Sequence, residues 1–200
     1  MAAGLDFYFD FSSPYGYIGS HKIEALAAKH DRTVNWRATL LGAAFKVTGG
    51  KPLPEMPLKG DYARRDFQRS AKFHDVPFRM PSQFPVPTVS AARAFWWLHD
   101  KQPQQAVALA KALYKAYFVD DLDISSAENV VKIAASVGCG ADDARAALAD
   151  QAVKDRTKAE VEAAIAKGVF GSPYVIVEGE PFWGADRFDQ LDKWLATGGW

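Results

Sequence analysis

The sequence predicts an α/β fold in which a small sheet, drawn from both ends of the chain, is interrupted by a helical insertion. Three observations lead there. Leu5-Asp6-Phe7-Tyr8-Phe9-Asp10-Phe11 is an aromatic run of strand character. Strand character returns at Pro173-Tyr174-Val175-Ile176-Val177. Between these ends, most apolar residues recur at helical spacing. The expected division is a discontinuous sheet domain over 1–50 and 165–200, with the insertion over 51–164.

In order, the first strand runs through Ser12 into Ser13-Pro14-Tyr15-Gly16, and Ile18 to Lys29 reads as a helix. Thr33 to Thr39 is a second strand, with Val34, Trp36 and Ala38 spaced for one face. Glycines and prolines crowd residues 42–60, as expected of a long connection. Asp61 to His74 reads as a helix, and Pro77 to Pro87 as an irregular stretch. Helical patterning resumes from Ser90 to Trp97 and from Gln104 to Phe118. Ser125-Ser126-Ala127-Glu128 has capping-box spacing between Ser125 and Glu128, so a helix should begin there. Further helices are expected at 141–148 and 151–166, the latter leaving through Gly168, which tolerates positive φ. Glu178-Gly179-Glu180 is a turn, Pro181-Phe182-Trp183 a short outer strand, and Arg187 to Leu195 a final amphipathic helix.

A strand that delivers a nucleophile-sized side chain and a proline to a helix start is thioredoxin-like geometry. The predicted fold is therefore a thioredoxin-like domain interrupted by a helical insertion domain. No thiol stands at that helix start. Any chemistry there must use a sulfur brought by a cofactor, or no sulfur at all. Pro14 suits the first helical turn, where no backbone N–H is needed. Ser13 could donate its hydroxyl to a cofactor thiolate and lower the thiol pKa from about 8.5. The ordinary reading of Ser13, on local sequence, is a helix cap. Phe170-Gly171-Ser172-Pro173 adds a second element. A cis Ser172–Pro173 bond would turn the Ser172 backbone N–H and C=O toward the cysteinyl part of a peptide cofactor.

Bulk properties narrow the classes. The 200 residues carry 24 basic and 24 acidic side chains, with no basic stripe to attract nucleic acid. No apolar run reaches the roughly 18 residues of a membrane span. Met1-Ala2-Ala3-Gly4-Leu5 lacks the basic region and apolar stretch of a signal peptide, so a cytoplasmic location is expected. Cys139 is the sole cysteine and reads as a small packing residue. His21, His30, His74 and His99 have no compact ligand spacing, and no metal is expected.

Across nearly its whole length the chain resembles the 2-hydroxychromene-2-carboxylate isomerase family, allied to the kappa-class glutathione transferases. The matching segments are the run from Asp6 to Tyr15, then Pro57-Leu58-Lys59-Gly60-Asp61-Tyr62, Phe170-Gly171-Ser172-Pro173, and Trp183-Gly184-Ala185-Asp186-Arg187. The resemblance implies a homodimer that uses glutathione as its cofactor. Ser13 would stabilise the glutathione thiolate as the catalytic residue, and Lys59 would hold the tripeptide electrostatically. Ser172, before Pro173, would supply paired backbone contacts, and Asp186 would face the glutathione amino group. Gly50, Ala185 and Pro87 depart from the polar residues common at those family positions.

The activity so implied is cis–trans isomerisation of 2-hydroxychromene-2-carboxylate, or a related small aromatic compound, to trans-o-hydroxybenzylidenepyruvate by reversible thiolate addition. A kappa-like glutathione transferase acting on small electrophiles is the alternative, and a redox-inactive thioredoxin-like scaffold a third reading. Phe45, Tyr62, Phe84, Trp96 and Trp97 are candidates to line an aromatic substrate pocket. Lys46 and Arg93 are candidates to meet a substrate carboxylate. Each of these seven also has an ordinary reading, as core packing or as a solvated charge.

Overall fold

The structure is a computed structural model and describes residues 4–200. The first three residues, part of the start read above as free of a leader, lie outside the described residues. The strands β1 (Leu5–Phe9), β2 (Val34–Ala38), β3 (Tyr174–Val177) and β4 (Glu180–Trp183) form a four-stranded sheet in the order β2-β1-β3-β4. β2 runs parallel to β1, with Phe7 opposite Trp36. β3 pairs antiparallel with β1, and β4 antiparallel with β3. Glu178 and Gly179 join β3 to β4 with φ of 52° and 90°. That pair of left-handed residues matches the twist of a tight hairpin, as the turn reading required.

Alternation along β1 drives the packing. Leu5, Phe7, Phe9 and Phe11 are all fully buried. The Phe9 ring lies 5.3 Å from Trp36, 5.4 Å from Phe95 and 5.9 Å from Tyr114. Burying each such side chain contributes about 1.5–3 kcal/mol. Phe95 lies on α5 (Val89–His99) and Tyr114 on α6 (Pro103–Phe118). One continuous apolar cluster thus joins the sheet to the inserted helices. The architecture is a thioredoxin-like α/β core with an inserted helical subdomain sharing its core.

Several local expectations need correction. The predicted helix over 18–29 is two helices, α1 (Pro14–Ser20) and α2 (Ile23–Lys29). The Ser20 hydroxyl donates back to the Tyr17 carbonyl at 2.6 Å, and the His21 and Lys22 amides bond only three residues back. Such bonds compete with the helical ladder and end it. The stretch read as a long connection contains α3 (Leu41–Thr48), closed by Gly49 at φ 71°. Its Leu41 N–H is captured by Asp10 at 2.7 Å, a partner no local pattern reveals.

α4 (Lys59–Phe73) follows a short 3-10 turn over Leu53–Glu55. Residues 77–87 are irregular, and the Phe84–Pro85 bond is cis. α7 (Ala127–Ser136) is capped by Ser126, not Ser125. Ser125 bonds Asp123 instead, and Glu128 pairs with Arg145. α8 (Ala141–Ala149) and α9 (Gln151–Ala166) follow, and Gly168 takes φ 80°. α10 (Phe188–Thr197) is preceded by a 3-10 turn that contains Asp186. Among the described residues, no helix is long and apolar enough to cross a membrane.

Candidate active site

Ser13 is the N-cap of α1. Its extended backbone, φ −92° and ψ 114°, places the hydroxyl oxygen where it accepts the Gly16 N–H at 3.0 Å. Pro14 supplies the first helical residue, where a missing N–H costs nothing. With its oxygen held as acceptor, the Ser13 hydroxyl spends its single proton on the Ser172 carbonyl, 2.8 Å away. The Ser172–Pro173 bond is cis. Residues 159 apart in sequence therefore meet as a buried polar pair, each 6% exposed.

Asp10 supports this pair from beneath. It is the sole buried charged side chain among the described residues. Its carboxylate accepts the Ser12 N–H at 2.8 Å, the Thr88 hydroxyl at 2.9 Å and the Leu41 N–H at 2.7 Å. Its backbone N–H donates to the Ser172 hydroxyl at 3.0 Å, and its carbonyl accepts the Tyr114 hydroxyl at 3.0 Å. Burial pushes the Asp10 pKa up, and the Ser12, Leu41 and Thr88 donors pull only part of that back. Burial likewise holds the Tyr114 phenol well above its ordinary range.

Gly16 makes the close approach possible. A Cβ there would lie 2.4 Å from the Ser172 hydroxyl oxygen, 2.8 Å from that of Tyr114 and 3.1 Å from the Ser13 Cβ. Gly16→Ala is therefore expected to push Ser172 away from Ser13. The gain of about 1 kcal/mol in helix propensity is outweighed by an overpacking cost of about 1–3 kcal/mol. Urea unfolding should show that net loss, and ligand binding at the serine pair should weaken with it. A variant as stable as wild type would show that the space is not tight.

Next to the serines lies an aromatic wall. Ser12 accepts the Val86 N–H at 3.3 Å, which draws the irregular loop toward the site. Tyr15, Phe67, Phe84 and Tyr117 follow one another with ring separations of 5.1, 5.9 and 6.4 Å. The Tyr15 hydroxyl donates to Asp66 at 2.5 Å, and Asp66 also takes the Arg69 guanidinium and the Ser70 hydroxyl. Burial and then the Asp66 bond drive the Tyr15 pKa upward. Burial opposes ionisation of Asp66, but its bonds to Tyr15 and Arg69 win and hold it below the usual carboxylate range. This link ties α1 to α4, the helix that Lys59 opens.

The proposed site residues fall into distinct groups. Ser13, Ser172 and Pro173 come together. Lys59 is exposed at the head of α4. Asp186 is exposed, pairs with Arg187 at 3.3 Å, and its charge adds to the rise in the Tyr15 pKa. It does not cap the last helix. Of the pocket candidates, Phe84 belongs to the aromatic wall. Tyr62 is exposed beneath Arg69. Phe45 is half-buried and Lys46 exposed on α3, while Arg93 and Trp97 are half-buried on α5.

Trp96 must be withdrawn from the pocket. It is 1% exposed, donates to the Ala38 carbonyl at 3.0 Å and carries the Arg156 guanidinium on its ring, so it is a core residue. Sequence reasoning passed over Asp10, Gly16, Tyr15 and Tyr114. A charge within the aromatic run of β1 and a glycine three residues after Ser13 were the available signals for the first two.

Comparison with known proteins agrees with this fold. A family model described as a DSBA-like thioredoxin domain matches residues 4–196. A 2-hydroxychromene-2-carboxylate isomerase of Sphingobium xenophagum is 28% identical over 198 residues, covering 98% of this chain and 99% of that one. Glutathione S-transferase kappa 1 of Rattus norvegicus is 24% identical, covering 96% of this chain and 92% of that one. A solved structure of a 2-hydroxychromene-2-carboxylate isomerase superposes with a TM-score of 0.86 at 24% identity, covering 96% of this chain and 94% of that one. With the family model matched almost end to end, and with homology to both enzyme groups, the chain belongs to the DSBA-like thioredoxin domain family.

Proposed function

We propose that this chain is a glutathione-dependent cis–trans isomerase acting on 2-hydroxychromene-2-carboxylate or a related small aromatic compound. The observation that carries the reading is the buried Ser13–Ser172 pair at a thioredoxin-like helix start where no cysteine stands. The donor set fits a cysteinyl peptide. A hydroxyl able to face a sulfur lies beside a backbone carbonyl able to face an amide N–H. When bound, glutathione supplies a thiolate that adds to a conjugated carbon and later leaves, so that bond rotation becomes accessible.

The chain's residues do the rest. Ser13 donates its hydroxyl to the sulfur and favours the ionised form. Ser172 holds the cysteinyl backbone, and Lys59 attracts the tripeptide's carboxylates. Asp186 receives its amino group, within a homodimer. The half-buried rings of Tyr15 and Phe84, backed by the buried rings of Phe67 and Tyr117, orient the substrate ring beside the serines. The exposed Lys46 on α3 and the half-buried Arg93 on α5 are the cations offered to a substrate carboxylate.

The test is incubation of the chromene carboxylate with glutathione well below the substrate concentration, with accounting of product and free thiol. The expected result is many turnovers of isomer per glutathione with no thiol consumed. Stoichiometric loss of thiol to a conjugate would replace this reading with the transferase, which the similarity to the kappa-class proteins favours. A folded protein that binds no glutathione would point to a scaffold.

A further inference from the structure

The Ser13 hydroxyl has one proton and, in the proposed glutathione complex, two claimants. In this structure the hydroxyl donates to the Ser172 carbonyl at 2.8 Å, while the Gly16 N–H at 3.0 Å pins the oxygen in place. Only the O–H direction is free to change. Turning it to a sulfur anion takes it from the Ser172 carbonyl, in a residue only 6% exposed. A buried carbonyl left without a donor is costly, so something must replace the lost bond.

We infer that the site selects for thiols carrying an amide N–H on the carbon adjacent to the thiol-bearing one, because that N–H must take over the Ser172 carbonyl before Ser13 can support the thiolate. This deepens the glutathione reading above and rests on it. The Ser13–Ser172 bond then acts as a latch. A simple thiol can reach the sulfur position, but it leaves the carbonyl unpaired or the sulfur without its donor. A cysteinyl peptide satisfies both atoms at once. The loop is anchored beside the latch: the Ser172 hydroxyl is already held by the Asp10 N–H at 3.0 Å and packs closely against Gly16.

Four ligands test this: glutathione, S-methylglutathione, and the counterpart of each in which an ester oxygen replaces the cysteinyl N–H. Dissociation constants are measured by calorimetry, and bound thiolate by its ultraviolet absorbance. The S-methyl ligands do not need the Ser13 proton, so for them the ester should cost little more than one ordinary bond. For the thiol ligands the ester should cost about ten- to a hundredfold more, the weight of one unpaired buried carbonyl. The bound ester thiol should also ionise near the pKa of a free thiol. In Ser13→Ala the two ester penalties should become equal, since no proton remains to be exchanged. Equal penalties in the wild type, or a bound ester thiol as ionised as glutathione, would overturn the latch while leaving glutathione binding intact. If neither glutathione nor S-methylglutathione binds, the functional reading itself fails, and the latch with it.

Discussion

Ser13→Ala is expected to lower isomerase turnover by about a hundred- to a thousandfold, the usual consequence of deleting one preorganised donor from a developing or resident negative charge. The same substitution should cost stability far less. It removes a helix cap worth about 1 kcal/mol and the donor to the Ser172 carbonyl. The sum of those losses is about 2–4 kcal/mol, against a total of about 5–15 kcal/mol for a domain of ordinary stability. The variant should therefore fold and still bind glutathione. Its bound thiol should titrate near the free value of about 8.5. Three measurements separate the roles: urea unfolding, glutathione affinity, and the pH dependence of turnover. A variant that keeps its turnover would reject Ser13 as the thiolate donor and leave it as a cap. A variant that loses activity only in proportion to its folded fraction would do the same.

The parts of this site legible in the sequence are those whose chemistry is local. Ser13-Pro14 is a capped helix start, and it follows an apolar strand, so its place at the end of β1 could be read directly. Ser172-Pro173 precedes a strand whose β-branched residues announce it. What brings the two serines to 2.8 Å is the β1–β3 pairing, with Phe7 opposite Val175, and no window of the sequence contains both. The failures have the same cause. α3 was obscured by its glycines because the group that nucleates it, the Asp10 carboxylate, lies 31 residues before Leu41. The break at His21 and Lys22 follows from one hydroxyl, that of Ser20, choosing the backbone over solvent. Trp96 and Trp97 are neighbours in sequence yet point to different surroundings, and only the helix's placement against β2 decides which is core. Ser126 displaced Ser125 as a cap because Asp123 bonds both the amide and the hydroxyl of Ser125.

Asp10→Ala should be the most destabilising single change around the site, costing about 3–5 kcal/mol, because it strands one buried and two part-buried donors from three separate segments. Those donors are the Ser12 N–H, the Thr88 hydroxyl and the Leu41 N–H, and they hold the site loop, the start of α5 and the start of α3 to one carboxylate. Asp10→Asn is the informative partner. One amide oxygen can still accept, but an NH2 group must then face a donor, so an intermediate loss of about 1–3 kcal/mol is expected. The two variants also differ from wild type in their response to pH. Burial raises the folded-state pKa of Asp10 above its ordinary 3.8. Such a group favours folding fully below the unfolded pKa, and its contribution is lost as pH rises through the folded value. The stability gap between wild type and Asp10→Asn should accordingly be widest in acid and narrow toward neutral pH, as urea unfolding across that range would show. A gap that widens toward neutrality would mean that the donors outweigh burial and depress the pKa. The carboxylate would then be a net stabilising anion under the serines. In either case the backbone of Asp10 still carries Ser172 and Tyr114, so a variant that folds should keep the Ser13–Ser172 contact, and its loss of activity should track its loss of stability.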